Sequence, residues 1–186
     1  ADILMPDAAV EVRVEGESQI PLSLGRIRRV WLEPGSPPAF PQAIGAILNA
    51  DLLIIGPGSL YTSLLPNLLV PDLAEAVRAS RALKLFVCNV ATQPGETDGF
   101  SCGDHLRVFE EHLGNGLFDM AVVNQHFLGN LPERVSWVTL DENINQKYVV
   151  YMADLVDVLH PWRHDSQKLA QVIMNLFSER TGPLVE

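Results

Sequence analysis

Three apolar runs do most to constrain the fold of this chain: Leu52–Ile55 (LLII), Lys84–Val90 (KLFVCNV) and Phe118–Asn124 (FDMAVVN). None alternates apolar with polar residues, as expected of strands covered on both faces in a parallel sheet flanked by helices. Helical patterns lie between and after them. Pro41–Asn49 places Ile44, Ile47 and Leu48 on one face, with Pro41 allowed in the first turn. Leu73–Leu83 carries Leu73, Ala76, Val77 and Leu83 as its apolar positions. Ser101 can cap a segment with Leu106, Phe109 and Leu113, and Asp104 stands where a weak capping box needs it. The clearest helix has Leu169, Val172, Ile173, Leu176 and Phe177 at helical spacing after Asp165 or Ser166 as N-cap. Strands alternating with helices predict an α/β fold whose parallel strands are joined by right-handed crossovers, with the first three core strands adjacent. Arg26–Leu32 reads as a further strand, and the opening residues read as a polar hairpin region.

That topology opens the loops after Ile55, Asn89 and Val123 at one edge of the sheet, where open α/β folds bind ligands. In the first loop, GPGSLYTS, Gly56 and Gly58 free the backbone for close approach to an anion, and Ser59, Tyr61, Thr62 and Ser63 supply hydroxyls. Taken alone, such a loop is more often a strand end followed by a Gly/Pro turn. It lacks the spacing and the lysine of a Walker loop, and Pro57 occupies the first glycine position of a hydrolase nucleophile elbow. The second loop carries Asn89, Thr92, Gln93, Glu96, Thr97 and Asp98, with Asp104 and His105 just beyond. Its carboxylates could hold a divalent cation, but they have no metal-ligand spacing, so a solvated loop and helix start is the expectation for Glu96, Asp98 and Asp104. Asn124 ends the third strand. Arg163 stands just before the last helix, where a guanidinium and orphan N–H groups can converge on an anion. His112, His126 and His160 have no ligand spacing.

At 186 residues and 47% hydrophobic, the chain is expected to form one domain, residues 1–186. A net charge of −10 argues against nucleic acid or an anionic membrane as the main partner, while a local pocket for a phosphorylated small molecule remains compatible with it. Two cysteines are too few for a disulfide framework, and Cys88 reads as a small core hydrophobe. No run reaches the roughly 20 apolar residues of a spanning helix, and no signal peptide is legible, so a cytoplasmic protein without membrane insertion is expected. The opening resembles the middle of a domain, and sequence upstream of Ala1 is expected.

The strings IIGPGSLYTSLLPNLLVPDLAEA, VCNVATQPGETDGFSCGDH and RHDSQKLA resemble the bacterial gluconeogenesis-factor (YvcK-like) family, which is related to the 2-phospho-L-lactate transferases (CofD-like). The resemblance implies a Rossmann-like three-layer fold with a mostly parallel sheet, of which this chain is the C-terminal portion. It also implies a regulatory binding protein for a UDP-sugar, UDP-N-acetylglucosamine, that supports cell shape and wall synthesis on gluconeogenic carbon sources. Arg163 then matches the arginine that contacts the UDP-sugar, and Ser166 falls where some members carry a phosphorylated threonine. The expected ligand-binding set is Gly56, Gly58, Ser59, Thr62, Ser63, Asn89, Thr92, Asn124 and Arg163. No cofactor is required, and a homo-oligomer is expected. The alternative is a phospholactate-transferase-like enzyme using Mg²⁺, for which Asp98 is the weak metal candidate; no catalytic residue is assigned. The family's glycine-rich first segment does not occur here, and the nucleotide-contacting tyrosine has no secure counterpart.

Overall fold

The apolar runs form the strands of one parallel sheet. In this computed structural model, residues 1–5, 10–23 and 25–181 are described. The sheet comprises β4 (Leu52–Ile55), β5 (Leu83–Val87), β6 (Met120–Asn124) and β7 (Val150–Ala153) in that spatial order, all neighbours parallel. Leu52 pairs with Leu83, and Leu85 with Met120, so the three expected strands are adjacent as predicted. Alternate side chains feed two cores. Leu85, Val87 and Val122 pack in a cluster with Leu169, Ile173 and Leu176 of α5 (Ser166–Thr181). Phe86, Cys88, Ala121 and Val123 pack in a second cluster with Leu106 and Phe109 of α4 (Cys102–Leu113), where the Phe86 and Phe109 rings lie 5.3 Å apart. The result is the expected helix–sheet–helix layering.

β4 departs from the expectation of burial on both faces. It lies at the sheet's edge, and Ile54 is 46% exposed. α1 (Pro41–Leu48) and α3 (Pro71–Ala79) lie on either side of it in sequence, with α2 (Leu65–Leu68) preceding α3. α3 starts earlier and ends earlier than its apolar pattern suggests, because Leu83 is the first residue of β5 rather than the last of the helix.

β7 was not foreseen. It reaches β6 through residues 125–149, which contain a single 3₁₀ turn at Ile144–Gln146 and no α-helix among the described residues, so the βαβ rhythm is absent there. Instead the link runs back along the second crevice loop. Val138 N–H donates to Val90 O at 3.1 Å, Thr92 N–H to Ser136 O at 2.8 Å, and Cys102 N–H to Thr139 O at 2.9 Å. A small antiparallel sheet, in the order β2-β1-β3, joins β1 (Asp2–Leu4), β2 (Glu11–Arg13) and β3 (Arg26–Arg29) and seats Ile3 and Ile27 in the α4-side core. Thus the expected hairpin and the Arg26 strand belong to a second sheet.

The capping box of α4 is present: the Ser101 hydroxyl accepts from Asp104 N–H at 3.1 Å, and Asp104 accepts from Ser101 N–H at 2.9 Å. Asp141, from the β6–β7 link, completes it by accepting from the Ser101 hydroxyl at 2.8 Å and Gly103 N–H at 2.7 Å. Asp141→Ala leaves Gly103 N–H without its charged acceptor and the Ser101 hydroxyl with Asp104 alone, and is expected to lower stability by about 1–2 kcal/mol in urea unfolding. α5 is capped by Asp165, whose carboxylate accepts from Gln167 N–H at 2.9 Å and Lys168 N–H at 3.0 Å.

Candidate functional site

The ends of the parallel strands bring four loops together. After β4 the chain passes through Gly56 and Gly58 into a π-helical turn, Leu60–Leu64, that runs on into α2. Gly56 has φ +90°, and a Cβ there would lie 2.6 Å from Val87 O. Its glycine is therefore required by close packing on β5, independently of any ligand. Gly58 donates its N–H to Asn89 Oδ1 at 3.1 Å, and its carbonyl accepts from Asn89 Nδ2 at 2.9 Å. Asn89 thus acts as a bridge between the first and second loops.

The hydroxyl set expected to face an anion meets a carboxylate from within the protein. Glu96 is 9% exposed, and its oxygens accept from the Ser59 hydroxyl at 2.7 and 2.5 Å, the Thr62 hydroxyl at 2.8 Å and Tyr61 N–H at 3.2 Å. Ser59 and Thr62 also share a short hydroxyl–hydroxyl contact. Glu96 is therefore buried rather than on a solvated loop, because hydrogen bonds from the first loop offset its desolvation. Tyr61 is 2% exposed, its ring lying edge-on to Phe100 and His112, and burial pushes its phenol above the ordinary tyrosine range. It is a core residue. Ser63 is exposed.

Two cavities flank this cluster. One, of about 710 Å³, is bordered by Glu96, Asp98, Phe100, Asp104, Arg26 and Arg134 among others. The other, of about 500 Å³, is bordered by Thr62, Tyr61, Trp31 and Arg13 among others. The Asp98 carboxylate accepts from Gly95 N–H at 2.6 Å, and Asp104 from Arg107 at 2.7 Å. With Glu96 engaged by hydroxyls, these carboxylates do not converge, and among the described residues no group of three His, Cys, Asp or Glu side chains is arranged to hold a metal ion. Arg134 is the one non-glycine among the described residues with positive φ, at 63°.

Thr92 and Asn124 stitch the third and fourth loops. The Thr92 hydroxyl accepts from Ser136 N–H at 2.9 Å, and Asn124, 1% exposed, accepts from Leu155 N–H at 3.2 Å and His126 N–H at 3.3 Å. In the fourth loop Arg163 is held by its backbone: its N–H donates to His160 O at 2.8 Å and its carbonyl accepts from Asp157 N–H at 3.0 Å. The next residue, His164, places Nε2 3.1 Å from Cys88 O, beside Asn89. Arg163 thus adjoins in sequence the residue that reaches the end of β5; it is exposed and, among the described residues, in no ion pair. Ser166, the first residue of α5, is exposed. Cys88 and Cys102 are both buried and free; hydrogen bonding to Cys102 and burial push the Cys88 thiol up, as suits an inert core thiol.

One buried imidazole, His105, and two half-buried ones, His112 and His164, lie around this region. His105 is 2% exposed, its Nδ1 lies 2.8 Å from Ser101 O, and its Nε2 is buried without a hydrogen-bond partner among the described residues. Burial lowers the pKa of His105, His112 and His164, against smaller opposing contributions from their hydrogen bonds to backbone carbonyls. The folded protein thus holds them neutral at pH values where an unfolded histidine, with its ordinary pKa of 6.5, takes up a proton. Their contribution to stability is present above about pH 6.5 and is lost as pH falls below it toward the lowered folded values. Urea unfolding at pH 7.5 and 5.5 should show lower stability at pH 5.5. His105→Leu should remove up to one proton's share of the slope, about 1.4 kcal/mol per pH unit.

The fold defines an α/β protein whose loops gather at the carboxyl ends of a parallel sheet. The family profile described as 2-phospho-L-lactate transferase CofD matches residues 3–180, and the chain belongs to that family. Its relatives are named gluconeogenesis factors. It is 42% identical over 176 residues to a putative gluconeogenesis factor of Nostoc sp., covering 89% of this chain and 39% of the relative. It is 39% identical over 184 residues to the gluconeogenesis factor of Bacillus subtilis, covering 89% and 55%. A crystal structure of a UPF0052 family member from Bacillus halodurans superposes with a TM-score of 0.83 at 36% identity, covering 93% of this chain and 57% of that one. The chain thus spans about half the length of these relatives. No helix among the described residues is long and apolar enough to cross a membrane.

Proposed function

We propose that this protein is a cytoplasmic regulatory member of the family that binds a nucleotide sugar, UDP-N-acetylglucosamine, and supports cell shape and wall synthesis during growth on gluconeogenic carbon sources. The observation that carries this reading is the convergence at the strand ends: Asn89 bridges to Gly58, His164 reaches Cys88 O, and Arg163, next to His164 in sequence, is exposed and has no ion-pair partner among the described residues. An available guanidinium two residues before the cap of a long helix suits a diphosphate. The ligand set is Gly56, Gly58, Ser59, Thr62, Ser63, Asn89, Thr92, Asn124 and Arg163, without a required cofactor and in a homo-oligomer. Ser166 is accessible for phosphorylation.

The family profile's name keeps a transferase reading in play. That chemistry would draw on Mg²⁺ at Asp98, but the carboxylates around Asp98 do not fit a preformed cation site, because Glu96 and Asp104 are bonded elsewhere. Calorimetry of the full-length protein with UDP-sugars and guanosine diphosphate compounds, followed by product analysis of the same samples, separates the two. Tight UDP-sugar binding without turnover supports the regulator. Product formation, or no UDP-sugar binding, sinks it.

A further inference from the structure

We propose that the Ser59 hydroxyl, the Thr62 hydroxyl and Tyr61 N–H form an oxyanion pocket whose resident anion is the Glu96 carboxylate, so that a ligand's phosphate or carboxylate enters only when Glu96 leaves. The inference rests on the crevice being the ligand site. It starts from chemistry in place: three donors converge on one carboxylate at 2.5–3.2 Å, with the hydroxyl contacts in the short range of charge-assisted bonds. The donors come from the first crevice loop and the carboxylate from the second, 34 to 37 residues away in sequence. Such a set recognises oxyanions by geometry and is indifferent to whether the anion is internal or external.

The same donors cannot serve two anions. A ligand phosphate placed on them with Glu96 still seated would meet a like charge in a region largely shielded from water. The hydroxyls and Glu96 are therefore mutually exclusive partners for the ligand, and Glu96 sets the access of oxyanions to the loop. Open space adjoins the cluster: Glu96 borders the cavity of about 710 Å³, and Thr62 borders the one of about 500 Å³. The backbone beside Glu96 is packed, since a Cβ at Gly95 would collide with Pro21 O, so the exchange is a movement of the Glu96 side chain.

The test uses the full-length protein with inorganic pyrophosphate and inorganic phosphate as probes. Glu96→Gln keeps the shape and removes the charge, and it should bind pyrophosphate at least 10-fold more tightly than the wild type. Glu96→Ala empties the pocket. Its melting temperature should fall and then rise saturably with added phosphate, while the wild type does not respond. Adding Ser59→Ala and Thr62→Val to Glu96→Ala should abolish that rise. The proposal is overturned if Glu96→Gln binds pyrophosphate no more tightly than the wild type. A response of Glu96→Ala that is absent, or that survives loss of both hydroxyls, overturns it as well. If Glu96→Ala does not fold, the Glu96→Gln affinity decides. Failure of the nucleotide-sugar reading looks different: UDP-sugars then bind neither wild type nor Glu96→Gln, whatever pyrophosphate does.

Discussion

Gly56→Ala should destabilise the protein by about 3 kcal/mol, whereas Gly58→Ala should stay within about 1 kcal/mol. Both glycines stand in the same loop, so the contrast isolates what each is for. At Gly56 a methyl group would be forced into φ +90°, a conformation unfavourable for L-residues, and would lie 2.6 Å from the Val87 carbonyl oxygen. That oxygen belongs to the central region of the sheet and has little freedom to move. At Gly58 no positive φ is imposed, and the new methyl would meet the tip of Leu64 at 3.2 Å, a side chain that can shift. For a chain of this length the Gly56 loss corresponds to roughly 6–12 °C in melting temperature. Equal losses at the two positions, measured by urea unfolding and calorimetric melting, would show that the approach of the first loop to β5 does not govern stability.

The same pair shows why part of the site was readable and part was not. A glycine after an apolar strand announces an unusual backbone or a close approach, but not what is approached; at Gly56 it is the neighbouring strand. Local patterns were reliable where the determining interactions are local. The Ser101–Asp104 capping box lies within four residues, and the apolar face of α5 recurs within one helix. Glu96 and Tyr61 were misread because their environments are set from afar. A glutamate in a Pro-Gly loop looks solvated until hydroxyls 34 and 37 residues away bond to it, and a tyrosine among serines looks polar until Phe100 and His112 enclose its ring. β7 escaped for a related reason. The Val-Val-Tyr-Met stretch has strand-forming residues, but the connection from β6 lacks the helix that marks a parallel crossover, its place taken by extended backbone pairing at Thr92 and Val138.

Arg163 offers the largest expected effect on binding. If its guanidinium donates to the ligand's diphosphate, Arg163→Ala removes a charge-assisted hydrogen bond of about 1.5–3 kcal/mol, on the order of a 10- to 150-fold loss in UDP-sugar affinity. Folding should barely change. The side chain is exposed and enters no ion pair among the described residues, and the contacts that anchor the segment are backbone bonds to His160 and Asp157 together with the His164 ring at Cys88 O. Those survive truncation at position 163. Arg163→Lys restores a positive charge but not the planar two-pronged donor, so only part of the affinity should return. A His164→Ala control separates direct contact from loop placement: losing the bond to Cys88 O should loosen the segment, lowering melting temperature and affinity together, whereas Arg163→Ala lowers affinity alone. Calorimetric titration of the three full-length variants against UDP-N-acetylglucosamine, with parallel thermal melts, gives both readouts. Unchanged affinity in Arg163→Ala would remove the guanidinium from the ligand site and leave binding to the crevice loops after β4, β5 and β6.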